Sequence, residues 1–234
     1  MGQYLNDMVC AARKPRIQAV RSNNLQLELP AVPRELGFLQ SNNPIKVSVV
    51  IPTYNRADFL RQTLAGLVSQ QFPRDHFEVL VIDNNSSDQT REVVAEFAEA
   101  RPAPRYLKES QQGLDYARNR GVAEARGEIV AFGDDDILVP PDWLAQLVVP
   151  LIADPDRRIG AIGGEVIPVF PDGLPDWVRE WHAPLAFRAD LGPLEKKHSP
   201  MGANLAFPKW VFADLGLFHT ALDRAAGKIG RAHV

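Results

Sequence analysis

From Lys46 onward the chain alternates short apolar runs with amphipathic stretches. Residues 47–51 (VSVVI) form a β-branched run stopped by Pro52, the pattern of a strand buried on both faces. Leu60, Leu64, Leu67 and Val68 then recur at helical spacing, with Asn55 as the expected cap and Asp58 three residues on. Residues 77–82 predict a second strand ending at Asp83. Ser86 with Gln89 reads as a capping box, and Val93, Val94 and Phe97 line the next helix. Leu114, Ala117, Gly121, Val122 and Ala125 predict a third helix whose small residues suit close packing, closed by Gly127. Residues 129–132 are the next strand. Pro140-Pro141-Asp142 opens a fourth helix with Leu144, Leu147, Val148 and Leu151 on one face, and residues 161–170 read as a further strand.

This alternation predicts an α/β fold: a doubly wound, mainly parallel sheet flanked by helices, Rossmann-like, with right-handed crossovers. Ligands of such sheets sit beyond the carboxyl ends of the strands. Three polar clusters fall at those ends: Thr53-Tyr54-Asn55, Asp83-Asn84-Asn85 and Asp134-Asp135-Asp136. The fold should therefore gather them at one edge. Residues 1–45 have no clear period and are punctuated by Pro15, Pro30, Pro33 and Pro44. They read as an N-terminal extension or linker, a mildly basic solvated arm holding one helix.

Composition narrows the function. The chain has 234 residues, 45% of them apolar, which is enough for one good core. The formal net charge is -3, with acids and bases intermixed, so no nucleic-acid partner is expected. A single cysteine, Cys10, rules out an internal disulfide and fits a reducing compartment. No apolar run reaches the ~20 residues that span a bilayer. A cytoplasmic location is expected, with peripheral contact at the inner face of the membrane compatible with the basic arm.

Three successive acids after a buried strand repel one another unless a cation joins them. Carboxylate oxygens suit a hard divalent ion, Mg2+ or Mn2+, that keeps positions open for phosphate. A solvated acidic turn is the plainer alternative for Asp134, Asp135 and Asp136. Asp83 is expected to stay free at its strand end, with a serine supplying the cap. Tyr54 either stacks on a base or fills its loop. Arg118 either makes a surface ion pair or compensates a nucleotide phosphate. Neither GxGxxG nor GxxxxGK[ST] is present, so dinucleotide and P-loop readings lack their phosphate cradles.

Taken together, these stretches resemble family 2 glycosyltransferases, which have the GT-A fold. Residues 47–56 (VSVVIPTYNR) are similar to the family's opening strand and loop, and residues 83–90 (DNNSSDQT) to its second-strand motif. Gly113-Leu114 with Ala117-Arg118-Asn119 and Gly121 resembles the next helix, and residues 132–136 (FGDDD) its DXD-type metal motif. The resemblance implies inverting, metal-assisted transfer from a UDP-, GDP- or dTDP-sugar to a carbohydrate or lipid-linked acceptor. It implies that Pro52, Thr53, Tyr54, Asn55, Asp83, Asn85 and Arg118 hold the nucleotide. Asp134 and Asp135 would face ribose and diphosphate, and Asp136 with Asp134 the metal. Gly202, Ala203 and Asn204 would lie beside donor sugar and acceptor, with Trp177 and Trp181 in the acceptor region. Two other readings stand beside this one: a nucleotide-sugar-binding module without transfer, and a sugar-phosphate nucleotidyltransferase.

Inversion needs a general base, which the family supplies from a Glu-Asp pair. No such pair follows residues 215–218 here. Neither Asp214 nor Asp223 matches, so the catalytic base is unassigned. Residues 229–234 (IGRAHV) are what the sequencing adapter AGATCGGAAGAGCACACGTC encodes in one reading frame. The expected division is thus an extension (1–45), a GT-A domain incomplete at its C-terminus (46–228) and a non-native tail (229–234).

Overall fold

The structure, a computed structural model, describes residues 45–164, 166 and 202–222, together with short strand segments at 9–11, 18–21, 167–169 and 192–193. The extension contributes β1 (Val9–Ala11) and β2 (Gln18–Arg21). Then come β3 (Val47–Thr53), α1 (Ala57–Val68), β4 (Phe77–Asp83), α2 (Thr90–Glu96), β5 (Arg105–Lys108) and α3 (Leu114–Glu124). The chain continues through β6 (Ile129–Gly133), β7 (Ile137–Leu138), α4 (Trp143–Ile152), β8 (Ile159–Gly163), β9 (Ile167–Val169), β10 (Gly192–Pro193), β11 (Asn204–Pro208) and α5 (Lys209–Leu215).

The larger sheet runs β10-β2-β8-β11-β6-β3-β4-β5, and β7-β1-β9 form a small second one. The contiguous set β6-β3-β4-β5 is parallel, in register from Val47↔Ile129 and Val47↔Phe77. β11 enters antiparallel between β6 and β8. The sheet is therefore mixed, with the expected parallel strands confined to its β6-β3-β4-β5 half.

Every residue of β3 and β4 is buried, and alternation divides them between two cores. Val47, Val49 and Ile51 pack with Leu60, Leu64, Val93 and Leu147 beneath α1, α2 and α4. Val50, Leu80 and Ile82 pack with Ala117 and Val122 of α3 on the other face. The small residue matters at Gly121, where a Cβ would come within 2.3 Å of Val50 Cγ1. This close approach seats α3 on the sheet and fixes where its first turn meets the strand ends.

Several local expectations change. Asn55 does not cap α1, and Ser86 does not cap α2. Asp88 serves both helices: Oδ2 accepts from Ala57 N at 2.9 Å and Oδ1 from Thr90 N at 3.1 Å. Tertiary approach of the two N-termini made one carboxylate sufficient. Asp88→Ala should therefore cost about 2 kcal/mol in urea unfolding, at ~1 per lost cap, and Asp88→Asn much less. The strand expected over 161–170 is broken at Gly164 into β8 and β9, which join different sheets. A Cβ at Gly164 would lie 2.1 Å from Asn204 Nδ2, so that side chain, not a continuing strand, fills the space. The sequence reading placed no strand at β5. The solvated arm expected over 1–45 instead lends β1 and β2 to the two sheets. The remainder of that segment, with the helix expected there, lies outside the described residues, as do residues 223–228 of the expected domain and the 229–234 tail. Among the described residues no helix is long and apolar enough to cross a membrane.

Candidate active site

The carboxyl ends of β3, β4 and β6 and the first turn of α3 border one cavity of about 290 Å3. Pro52, Thr53 and Tyr54 come from β3 and its loop, Asn84 from the end of β4, and Asp134, Asp135 and Asp136 follow β6. Gly113, Leu114 and Ala117 close it from α3.

Buried contacts set the acidic loop. Thr53 Oγ1 donates to Asp135 Oδ2 at 2.7 Å, and Thr63 Oγ1 donates to the carbonyls of Asp135 and Ile137. Burial, with Asp136 and Asp134 adding repulsion, pushes the Asp135 carboxyl up to about 7, against the pull of Arg56 and Thr53. Arg56 Nη1 lies 2.5 Å from Asp136 Oδ2 and 3.5 Å from Asp135 Oδ1. Arg56 is a residue that sequence reasoning missed. Its position after Tyr54-Asn55 was visible, but nothing in the spacing pointed it across the cavity at the acids.

Asp83 is not free. It is buried, with Oδ1 accepting from Ser86 N at 2.8 Å and Oδ2 from Tyr106 Oη at 2.5 Å. An Asx turn and a neighbouring strand have taken the lone pairs that a bare strand end would expose. Burial, then Asp83, pushes the Tyr106 hydroxyl up to about 12, so it donates across the physiological range. Hydrogen bonds to charged groups contribute about 1.5–3 kcal/mol. Tyr106→Phe is accordingly expected to lower the unfolding free energy by that amount in a urea titration.

Asn84, given no role of its own within its strand-end cluster by the sequence, organises the site. Its Oδ1 accepts from Gln112 Nε2 and Gly113 N, and its Nδ2 donates to the carbonyls of Glu109 and Gln111. One amide thus folds the β5–α3 loop over the β4 end. Asn55 and Asn85 have positive φ of 52° and 69°, a conformation asparagine tolerates. Asn55 bonds Ser87 and Asn85 bonds the Ser110 carbonyl, and both side chains stay outside the cavity wall.

Arg118 is largely buried, 3.4 Å from Asp115 and stacked on Phe218 at 5.6 Å. Gly202 lies against it, since a Cβ there would reach within 2.4 Å of Nη2. The exposed ion pair expected of Arg118 is thus an enclosed one. Ala203 is buried, and Asn204 is wholly buried with Oδ1 accepting from Trp143 Nε1 at 3.0 Å. Asn204 therefore meets helix α4 and not the cavity. Trp177 and Trp181 lie outside the described residues.

The donor set suits a hard divalent cation. Asp134 and Asp136 line the cavity beside Asp135, whose carboxyl is pushed up chiefly by burial. Among the described residues no three acidic, histidine or cysteine side chains form a ready cage. One or two carboxylates completed by ligand phosphates is, however, the usual arrangement for such ions.

Comparison with known proteins gives the same direction. The model of the family described as Glycosyl transferase family 2 matches residues 48–216. Glycosyltransferase AglE of Haloferax volcanii is 36% identical over 128 residues, 54% of this chain and 41% of its own. Glucosyl-dolichyl phosphate glucuronosyltransferase of the same organism is 26% identical over 194 residues, 81% of this chain and 61% of its own. The mannosyltransferase PcManGT of Pyrobaculum calidifontis, solved with GDP-Man and Mn2+, superposes with a TM-score of 0.56 at 29% identity. That superposition covers 78% of this chain and 52% of the mannosyltransferase. The chain thus spans about half the length of these relatives.

Proposed function

This chain belongs to glycosyl transferase family 2, and on that premise we propose that its cavity binds a nucleoside-diphosphate sugar for transfer with inversion. The acceptor class is a carbohydrate or lipid-linked hydroxyl, a reading supported by the dolichyl-phosphate enzyme among the relatives. The observation that carries the proposal is the convergence of three strand ends and α3 on one acid-walled cavity. A neighbour of the same fold that holds GDP-Man and Mn2+ adds support.

Asp134 and Asp136 would hold Mg2+ or Mn2+, and a bound ion would supply Lewis-acid stabilisation of the departing diphosphate. The chain's own residues do the positioning. Thr53 holds Asp135 inward, so the acidic loop keeps its shape when a donor enters. Arg56 lies against Asp135 and Asp136 and neutralises part of their charge while no ligand is present. Tyr54, the exposed aromatic of the loop, offers a face for the base. Asn84 accepts from the Gln112 side-chain amide and the Gly113 N–H and so fixes the start of α3 against the cavity.

Thermal-shift titrations with UDP, GDP, dTDP and CDP, each with and without Mn2+, test this reading. One nucleotide should stabilise strongly and only with metal, by about 2.7 kcal/mol at a hundredfold excess over its dissociation constant. Absence of any shift with all four would sink the donor-site assignment.

A further inference from the structure

The parallel strands have a second edge that the donor reading does not use. Their amino ends lie about 20 Å from the candidate active site, from the ~3.3 Å rise along the seven residues of β3. Those of β3 and β6 border a separate cavity of about 600 Å3. Ile129, Leu151 and Ile159 give it an apolar floor, and its rim is cationic.

The acids of this rim are already engaged. Glu128 answers Lys46 at 3.2 Å, and Asp154 answers Arg158 at 3.2 Å. Arg157 and Lys209 differ: among the described residues neither has a carboxylate partner. Lys209 Nζ donates to the Ala125 carbonyl at 2.6 Å. The Arg157 guanidinium lies over the Trp210 ring at 5.8 Å. Arg157 also has φ 53°, a left-handed conformation that strains a residue with a long side chain. Its amide donates to the Asp154 carbonyl at 3.2 Å, and Arg157 is one of the residues lining the cavity.

We infer that this rear cavity binds a phosphate-bearing ligand, with the phosphate held by Arg157 and Lys209 and the apolar part resting on Trp210. Two cations lining one cavity, neither with a carboxylate partner among the described residues, match a dianionic phosphomonoester. A guanidinium fork and an ammonium are the groups that hold its oxygens. The indole face and apolar floor accommodate what the phosphate is attached to. A soluble phosphoester and a lipid headgroup present this same chemistry.

The test follows the Trp210 indole N–H signal in 15N-labelled protein, assigned with Trp210→Phe. Inorganic phosphate, at constant ionic strength, should shift that signal saturably. The paired variant Arg157→Gln/Lys209→Gln should weaken the response by about tenfold or more, since both charged hydrogen-bond donors are lost. Co-sedimentation with phosphatidylcholine vesicles doped with phosphatidic acid identifies the source. Pelleting that requires the dopant and these two residues assigns a lipid headgroup. A Trp210 shift without vesicle binding assigns a soluble phosphoester. A Trp210 signal indifferent to phosphate, or one that responds equally in the paired variant, overturns the inference. The metal-dependent nucleotide titration should be unchanged in the paired variant, which keeps this result separate from that of the donor site.

Discussion

Asp136→Ala should abolish the metal-dependent stabilisation by nucleoside diphosphate while leaving the free protein almost as stable as before. Two opposing effects balance in the free protein. The variant loses the half-buried contact with Arg56, which costs on the order of 1 kcal/mol. It also removes one of the two carboxylates whose repulsion adds to burial in raising Asp135 to about 7. Nothing offsets the loss in the bound state, where a divalent ion would retain only Asp134 and the phosphates. The ~2.7 kcal/mol expected at a hundredfold excess should fall to near zero in the same thermal-shift assay. The proposed transfer should drop on the order of a thousandfold, the equivalent of several kcal/mol of lost charge stabilisation. Asp136→Asn separates charge from shape, since it keeps an oxygen near Arg56 without the negative charge. Full Mn2+-dependent stabilisation in Asp136→Ala would show that the ion is held elsewhere.

The second large effect concerns stability alone. Trp143 is fully buried at the start of α4, and its indole donates to Asn204 at the start of β11. Trp143→Ala should cost about 3–5 kcal/mol, the range for emptying a core site of this size. That is a large share of the 5–15 kcal/mol typical of a folded domain. Urea unfolding should show the midpoint fall with little change in slope. Trp143→Phe isolates the hydrogen bond: it keeps most of the apolar contact and should cost about 1 kcal/mol, the net contribution of a typical intramolecular hydrogen bond. An alanine variant within 1 kcal/mol of wild type, well below that ~3 kcal/mol floor, would mean that α4 does not anchor the antiparallel strand. Because β11 begins next to Gly202 and Ala203, the same variant should also loosen the packing that encloses Arg118.

The division between legible and hidden features follows the range of the interactions involved. Strands β3, β4 and β6 were legible because burial on both faces demands near-continuous apolar residues. The four amphipathic helices carried a one-sided pattern, and small residues announced the close seat of α3. The strand-end clusters were legible too, since right-handed βαβ winding leaves those ends at one edge. β5 was missed because four partly exposed residues at the edge of a sheet carry no apolar run. The antiparallel entry of β11 was missed because periodicity states which face is buried and not which neighbour is paired.

Within the candidate site, the sequence by itself determined which loops meet and that acids dominate one wall, because those follow from the order of elements and residue types. Only the tertiary structure decided how the charges are shared. Arg56 reaches Asp136 across 80 positions of sequence, Thr53 reaches Asp135 across 82, and Tyr106 takes an oxygen of Asp83 across 23. Asn204 is a candidate residue from sequence together with Gly202 and Ala203, yet its side chain is buried and accepts from Trp143 Nε1. Each of these is a contact between side chains brought together by packing. Local spacing places a residue on an element, but the partner that fixes its charge or its hydrogen bonds comes from elsewhere in the chain.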